Sequence, residues 1–412
     1  MIKEKHSHID ADEEQKKYLD IEKKYQKENR ALNIALTAVF FAFIYIFALL
    51  FWILPDKDVS AEENRALASA PTFSFEALSN GSYTADFATY MADQFPARNF
   101  FVGMKALSER ALLKGQNNGV IFADNGYLVT RFDKTDNETL SKNIEYISDF
   151  AKAASNGGID VTTAVAGREI DVASSVLPKS YGTDSSDAAW SIIDASFKEN
   201  GTDYIDLKAP LKECFDAGEY VYYKTDHHWT SLGAYRAYCA ISESAGITPE
   251  SVERFKRETV TDSFFGTTWS SAGAKWVKPD SIEFFRYDGD DDLETDRGDE
   301  KFDGLYKTSY LDEKDKYSAF LGGNAARINI TSKNGEREKM LVVKDSFFHS
   351  LAPFFAKEYD LVIIDLRYYT DSVAELCRNE SIDKALVLLN VETLGEESGL
   401  GKLKMGLEAF EN

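Results

Sequence analysis

The chain has 412 residues, 28% of them charged, and a formal net charge of −22 at pH 7. Such an acidic composition argues against nucleic-acid binding, because a protein that binds a polyanion needs a basic surface to release its counterions. Three widely spaced cysteines, Cys214, Cys239 and Cys377, provide neither a disulfide framework nor a CxxC metal site, although one bridge between two of them is possible.

The N-terminal part of the chain contains one apolar run, at residues 31–54, behind a charged tail at 1–30. At about 1.5 Å per residue the run spans a hydrocarbon core of about 30 Å. Basic residues dominate before the run and acidic residues follow it, so the positive-inside rule predicts a cytoplasmic N-terminus and an extracytoplasmic remainder. A cleaved signal peptide is the alternative. The charged tail is long for a signal peptide and no small-x-small cleavage site follows closely, which favours an uncleaved transmembrane signal anchor in the cell membrane.

Residues 55–138 are expected to form an extracytoplasmic segment that packs on a main domain at 139–412. Within it, residues 118–129 alternate around an Asp-Asn-Gly turn, which predicts a β-hairpin. Beyond residue 139, short apolar strands alternate with helices, and this indicates an α/β sandwich with a mainly parallel sheet covered on both faces. The predicted helices are 139–154, 188–197, 231–244, 347–356 and 372–378, and the predicted strands are 161–166, 204–207, 340–343, 361–364 and 385–389.

The region from about 251 to 334 interrupts this alternation with aromatic residues, glycines and an acidic run at 288–292. We therefore expect an excursion from the sheet there. The acidic run lacks the spaced ligands of an EF-hand Ca²⁺ loop, so a solvated loop is favoured over a cation site.

Ser346 follows the predicted strand 340–343 and precedes the predicted helix 347–356. Sites in open α/β sheets gather at the carboxyl ends of strands, where a serine in a strand-to-helix turn projects its hydroxyl. Amides at the start of the helix can stabilise an oxyanion beside it. The alternative is that Ser346 only caps the helix.

Two of the five histidines lie side by side in the hexapeptide Thr-Asp-His-His-Trp-Thr at 225–230. Two others belong to the N-terminal tail, which leaves His227, His228 and His349 for any histidine chemistry in the folded part. The hexapeptide follows a β-like segment at 220–223, so it is also expected at a strand end.

Acyl transfer by a serine needs a nucleophile, a base that takes its proton, and a carboxylate that orients the base. Asp226, His228 and Ser346 supply this set. Positions two apart in an extended backbone point the same way, so Asp226 and His228 can share a face while His227 is turned from it. His349 is the rival base, but one helical turn after Ser346 it is expected on the helix side rather than over the hydroxyl.

The sequence here resembles the bacterial DHHW family, which is similar to the SGNH-hydrolase-like proteins of alginate O-acetylation. The resemblance covers nearly all of the chain beyond the apolar run, with order and spacing in agreement. Its blocks are Glu63-Asn64-Arg65 with Leu67 and Pro71, Asp93-Gln94-Phe95-Pro96-Ala97-Arg98, Asn118-Gly119-Val120, the hexapeptide, Phe265-Gly266-Thr267, Asp345-Ser346-Phe347, Asp365-Leu366-Arg367-Tyr368-Tyr369 and Leu389-Asn390-Val391-Glu392.

The resemblance implies an SGNH-hydrolase-like α/β/α fold with Ser346 as nucleophile, His228 as base and Asp226 as its orienting carboxylate. It also implies O-acetyl transfer to or from a cell-envelope or exported polysaccharide, without a metal or organic cofactor, beside a membrane-bound O-acyltransferase that supplies the acetyl group. Two departures from the related proteins are His227, where the alginate proteins have a small residue, and Lys344, where the hydrolases have glycine.

Four residues are candidates for substrate binding. Arg367 and Tyr368 lie at the end of the strand 361–364 and can line a sugar or acetyl site, although a structural role for the arginine fits equally well. Trp229 suits the face of a sugar ring, with core packing as the alternative. His227 is the fourth candidate, next to the proposed base.

Two other functions compete with acetyl transfer or acetyl-ester hydrolysis. A non-catalytic protein of an O-acetylation machinery would keep the fold and bind glycan or act as a scaffold. A DHH-type metal phosphoesterase would use the Asp-His-His sequence to bind Mn²⁺. The further acidic clusters that such enzymes need ahead of this motif are not found in the sequence.

Overall fold

The computed structural model describes residues 2–60, 65–132 and 136–411. Glu63 and Asn64, which belong to the first block of the resemblance, lie outside the described residues. The chain divides into two compact units, residues 2–60 with 65–100 and residues 101–132 with 136–411. All three cysteines are free thiols.

The first unit is dominated by the long helix α1, Ile2–Ile53. Its segment Gln15–Ile53 contains an 18-residue window with a mean hydropathy of 2.7, so the helix is long and apolar enough to cross a membrane. The rest of this unit consists of β1 (Val59–Ser60), β2 (Arg65–Ala66), α2 (Phe75–Ser79) and α3 (Ser82–Asp93), with β1 and β2 antiparallel.

The second unit begins within α4, Arg98–Ala111, and continues into a small antiparallel sheet. This sheet contains β3 (Gln116–Asn117), β4 (Val120–Phe122) and β5 (Leu128–Thr130). The turn between β4 and β5 places Asn125 at a φ of 58°, a left-handed conformation that asparagine tolerates better than most residues. The predicted hairpin is therefore confirmed.

Helices and strands alternate through most of the remaining chain. In order, they are α5 (Asn137–Asn156), β6 (Asp160–Ala166), α6 (Glu169–Val172), α7 (Asp184–Glu199), β7 (Ile205–Asp206), α8 (Lys208–Asp216), α9 (Ser231–Ser244), β8 (Lys256–Phe264), α10 (Thr267–Ala272), β9 (Asp280–Arg286), β10 (Leu293–Asp296), β11 (Lys301–Asp303), β12 (Arg327–Ser332), β13 (Lys339–Lys344), α11 (Ala352–Ala356), β14 (Asp360–Ile364), α12 (Val373–Glu380), β15 (Lys384–Asn390) and α13 (Val391–Glu396).

The main sheet has eight strands in the order β11-β10-β12-β14-β13-β15-β6-β7. The five strands from β14 to β7 are parallel, and the three at the other edge are antiparallel. Along β13, Val342 belongs to one hydrophobic core while Leu341 and Val343 belong to another. Successive side chains of a strand point to opposite faces, so apolar cores cover both faces of the sheet. The predicted α/β sandwich with a mainly parallel sheet is confirmed.

Two expectations about this unit need correction. Only part of the region 251–334 lies outside the main sheet. This region supplies the antiparallel strands β10, β11 and β12 of that sheet, while β8 and β9 form a separate two-stranded ribbon. Ile328 and Ile330 are fully buried at alternate positions of β12, which explains why this strand joins the core. The helix predicted at 347–356 is instead a 3-10 turn, Ser346–Ser350, followed by the short helix α11.

Candidate active site

Ser346 lies just beyond the carboxyl end of the central strand β13. The preceding residue, Asp345, caps the 3-10 turn that Ser346 begins. Its carboxylate accepts hydrogen bonds from the backbone amide of Asn390 (2.6 Å) and from the hydroxyl of Thr393 (2.8 Å). These bonds tie the turn to the end of the neighbouring strand β15, so Ser346 is held at the edge of the sheet where sites of α/β proteins gather.

The hexapeptide 225–230 folds as a tight loop, closed by an isolated β-bridge between Tyr222 and Trp229. The segment 220–223 is not a strand of the main sheet, contrary to the sequence prediction. Tyr222 and Tyr223 are buried in the core, and the backbone amide of Tyr223 donates to the carbonyl of His228 at 3.2 Å. The aromatic, β-like composition of this segment thus reflects burial and local pairing.

Asp226, His228 and Ser346 form a continuous chain of hydrogen bonds. The distance from Ser346 Oγ to His228 Nε2 is 2.7 Å, and that from His228 Nδ1 to Asp226 Oδ1 is 2.5 Å. With the proton of a neutral imidazole on Nδ1, that nitrogen donates to the carboxylate and Nε2 accepts from the serine hydroxyl. The structure therefore brings together the three residues that were proposed from the sequence as nucleophile, base and orienting carboxylate, although 118 positions separate His228 from Ser346.

The second oxygen of Asp226 is held by Thr267, whose backbone amide and hydroxyl donate at 2.8 Å and 3.0 Å. Burial alone would raise the pKa of Asp226, but the neighbouring His227 and His228 and the hydrogen bonds to the carboxylate hold it well below its usual value. Gly266 allows this approach, because a Cβ at that position would lie 2.2 Å from the Asp226 Cβ.

His227 contacts a different partner from His228. Its Nδ1 lies 2.7 Å from the hydroxyl of Thr267, and its side chain remains 36% exposed. Desolvation and the neighbouring His228 lower the pKa of His227, so its imidazole is neutral at pH 7. His227 is thus placed beside the hydrogen-bonded chain and not within it.

Two aromatic residues, Tyr317 and Trp229, contact His228 and the turn that begins at Ser346. The phenol ring of Tyr317 stacks on the His228 imidazole with centroids 4.0 Å apart, and its hydroxyl donates to the carbonyl of Ser346 at 3.2 Å. Tyr317 was not predicted as a site residue from the sequence, since it belongs to no local motif. Trp229 is fully buried, and its indole N–H donates to the Phe347 carbonyl at 3.0 Å. The expectation that Trp229 faces a sugar is wrong, because the buried indole of Trp229 packs against the turn Ser346–Ser350.

Lys344 does not obstruct the serine. Its fully buried ammonium group donates to the Asp365 carboxylate (3.1 Å) and to Nε2 of His349 (2.8 Å). Burial lowers the pKa of both Lys344 and His349, and His349 therefore serves as a neutral acceptor. The rival base is engaged in this buried network, while the other oxygen of Asp365 accepts from the Arg367 Nε at 2.9 Å.

Ser346 lines a cleft of about 360 Å³. The cleft is lined by His227, Asp345, Ser346, Phe347, Arg367, Asn390, Glu392, Thr393, Glu396 and Glu397. Of the predicted substrate-binding residues, Arg367 and His227 face this cleft. Tyr368 is 52% exposed and does not line it.

Asp226, His227 and His228 also place one possible metal-ligand atom each within 4.8 Å of one another. The donor atoms are, however, engaged with other partners. Both oxygens of Asp226 accept hydrogen bonds, His228 spans the aspartate and the serine, and His227 Nδ1 contacts a hydroxyl. A cation bound by all three residues would have to replace these hydrogen bonds, so the arrangement fits proton transfer better than metal ligation.

Comparisons with known proteins agree with this fold. Residues 211–365 match the DHHW protein family, and residues 120–277 match the SGNH hydrolase-like domain of the acetyltransferase AlgX. A crystal structure of a DHHW family protein from Eubacterium siraeum is 22% identical and superimposes with a TM-score of 0.57, covering 70% of this chain and 95% of its own. Bacillus cereus PatB1 is 17% identical with a TM-score of 0.55, covering 69% and 98%.

A second structure of PatB1, with a sulfonyl adduct, has the same 17% identity and a TM-score of 0.54, and covers 69% of this chain and 96% of its own. No curated protein sequence matches the chain. The two family matches together extend from residue 120 to residue 365 and surround the hydrogen-bonded chain of Asp226, His228 and Ser346. The resemblance found in the sequence is confirmed by these two overlapping matches, one to the DHHW family and one to an SGNH hydrolase-like domain.

Proposed function

We propose that this protein is an O-acetyltransferase or acetylesterase of a cell-envelope or exported polysaccharide, with Ser346, His228 and Asp226 as its catalytic triad. The match to the SGNH hydrolase-like domain of the acetyltransferase AlgX supports O-acetylation chemistry. The observation that carries the proposal is the pair of hydrogen bonds, 2.7 Å and 2.5 Å, that joins serine, histidine and aspartate.

In the first half-reaction, Ser346 Oγ attacks the carbonyl carbon of an acetyl donor while its proton passes to His228 Nε2. The tetrahedral intermediate then collapses as the bond from carbon to the leaving oxygen breaks, and His228 returns the proton to that oxygen. The backbone amide of Ser346 is the proposed donor to the oxyanion, since the amides of Phe347 and Phe348 donate to Asp345 within the turn. The product of this step is an acetyl ester on Ser346.

In the second half-reaction, a sugar hydroxyl or water attacks the acetyl-serine and gives its proton to His228. The ester bond breaks, and Ser346 Oγ takes the proton back. Asp226 remains ionised throughout, because its pKa is held well below neutral pH, and it stabilises the imidazolium that forms in each half-reaction. Arg367 and His227, which line the cleft, are the proposed contacts to the substrate.

The location is also part of this proposal. Helix α1 would anchor the protein in the cell membrane, with the N-terminus in the cytoplasm and the catalytic unit outside. Acetyl groups made in the cytoplasm would then have to be exported, and a membrane-bound O-acyltransferase is the proposed supplier. No step assigned to the triad requires a metal ion or an organic cofactor.

Steady-state hydrolysis of p-nitrophenyl acetate by the full-length protein in detergent tests the assignment. We expect Ser346→Ala to lower kcat/KM by at least about 10³-fold, and Ser191→Ala, which changes an exposed serine of α7, to have no effect. Chelation with EDTA should leave the rate unchanged. Full activity of Ser346→Ala would refute the triad, whereas no turnover by the wild type would favour a non-catalytic, glycan-binding protein.

A further inference from the structure

A second and larger cavity, of about 1290 Å³, lies in the same unit as the cleft. It is larger than the roughly 300–1,000 Å³ of typical small-molecule sites, so it suits a segment of a polymer better than a single small ligand. None of its lining residues lines the cleft beside Ser346. We call this cavity the groove; its walls are the end of α4, the β4–β5 turn and the segments 215–224 and 276–281.

Aromatic side chains form part of the groove wall. Trp276 is half-buried, the ring of Phe122 meets it edge-on with centroids 5.2 Å apart, and the guanidinium carbon of Arg110 lies 4.5 Å from its ring centroid. Tyr127 and Tyr220 add two further rings. Aromatic rings offer broad apolar faces at a low cost in conformational entropy, which suits packing against the C–H face of a sugar ring.

The acidic groups of the groove are already engaged with partners inside the protein. Glu219 forms two hydrogen bonds to Arg236, at 2.7 Å and 2.8 Å, and Asp216 pairs with Lys212 at 2.9 Å. The buried carboxylate of Asp280 accepts from the backbone amide of Thr225 at 2.8 Å and from other donors of the same segment. These carboxylates are therefore neutralised or screened from a ligand.

Three cations of the groove have no such partner. Within the described residues, Arg110, Lys224 and Lys278 form no ion pair with a carboxylate; the ammonium group of Lys224 donates to the backbone carbonyl of Asn125 at 3.1 Å. In a chain with a net charge of −22, cations that meet on one concave wall create a local potential that attracts anions. The cleft beside Ser346 differs in charge, since its lining contains three glutamates and Asp345 but one arginine.

We propose that the groove binds an anionic stretch of the polysaccharide whose acetylation is proposed above. Aromatic rings would pack against the sugars, and Arg110, Lys224 and Lys278 would pair with carboxylate or phosphate groups. Lys224 lines the groove and His227, three residues later, lines the cleft, so one short segment contributes to both. A polymer held in the groove would thus stay near the serine, while the acidic cleft would receive an uncharged hydroxyl or ester. That this polymer is also the acetyl acceptor rests on the proposed function. That the groove binds an anionic polymer does not.

Binding of polymers to the full-length protein in detergent tests the groove directly. The probes are polygalacturonic acid, which carries carboxylates, a glycerol-phosphate teichoic acid, and neutral dextran. We expect one or both anionic polymers to bind, with affinity that falls as salt is added, and dextran not to bind. The difference between the two anionic polymers will show whether carboxylate or phosphate is the preferred charge.

The variants Trp276→Ala and the double variant Arg110→Gln with Lys278→Gln should each weaken anionic-polymer binding at least tenfold. Lys256→Gln, which removes an exposed lysine of β8 outside the groove, is the matched control and should bind as the wild type does. Ser346→Ala should also retain binding, which separates this test from that of the triad. Wild-type affinity in the double variant, or equally tight binding of dextran, would overturn the proposal.

Discussion

The imidazole of His228 lies flat against the phenol ring of Tyr317, with centroids 4.0 Å apart and an interplanar angle of 9°. This contact restricts rotation of the imidazole between Asp226 and Ser346. A base that must be within hydrogen-bond reach of its serine depends on such support, since small errors in position reduce the rate strongly. Tyr317 is therefore a positioning residue in the proposed reaction.

Replacing the Tyr317 ring should impair turnover more than removing its hydroxyl. We expect Tyr317→Leu to lower kcat/KM for p-nitrophenyl acetate by about 10–100-fold, equivalent to about 1.4–2.7 kcal/mol. Tyr317→Phe keeps the stacked ring and loses only hydrogen bonds of 3.2 Å and 3.3 Å, so we expect a loss of about threefold or less. Equal losses in the two variants would mean that the hydroxyl, and not the ring, is what matters.

The close approach of Gly266 to Asp226 gives a second prediction. An added methyl group at Gly266 would overlap the Asp226 carboxyl, with Cβ 2.3 Å from Oδ2, and would displace it from His228. We expect Gly266→Ala to lower kcat/KM at least about 10²-fold, because a misplaced orienting carboxylate impairs the base.

Gly182→Ala is the matched control for this substitution. Its added methyl group would meet nothing closer than 3.7 Å, and the backbone there is not left-handed. Its kcat/KM and thermal midpoint should therefore stay near the wild-type values. Near wild-type activity in Gly266→Ala would show that the position of Asp226 is less critical than the geometry implies.

The buried His349 should make stability depend on pH. Burial and the adjacent Lys344 hold the pKa of His349 well below its ordinary value of about 6.5. As the pH falls through about 6.5, the unfolded chain takes up a proton at this histidine and the folded protein does not, so stability is lost by up to about 1.4 kcal/mol per pH unit.

His349→Gln keeps a hydrogen-bond acceptor beside Lys344 and cannot titrate. The free energy of unfolding, measured in urea at pH 7.5, 6.5 and 5.5, should therefore fall less steeply in His349→Gln than in the wild type. Parallel pH profiles would contradict the neutral, buried state of His349. Because this histidine contacts Lys344 and not the serine, the comparison reports on the buried network alone.

Much of this architecture could be predicted from the sequence. The parallel strands β6, β13, β14 and β15 are marked by short apolar runs, since both of their faces are buried. Asp226 and His228 pair as predicted, although they do so in a tight loop and not in the extended backbone from which the pairing was predicted. The position of Ser346 follows from its place after β13. Local sequence patterns suffice for features such as these.

Other features depend on contacts between distant segments. The side chain of Trp229 is aromatic and adjacent to the histidines, but its burial beneath the serine turn is set by Phe347 and Ser350, more than a hundred residues later. Tyr317 comes from an irregular region with no periodic pattern, and only the folded chain brings it onto His228. The antiparallel strand β12 was likewise hidden among the glycines and charges of its region.

The most direct test of the triad is to locate the acetyl group during turnover. Full-length protein is mixed with p-nitrophenyl acetate, quenched in acid within the first turnovers, digested, and analysed by peptide mass spectrometry. With Ser346 as nucleophile, we expect one acetyl group on the hydroxyl of Ser346 and none at this position in Ser346→Ala. Turnover that proceeds with the acetyl group on another residue, or with the same rate in Ser346→Ala, would contradict this assignment.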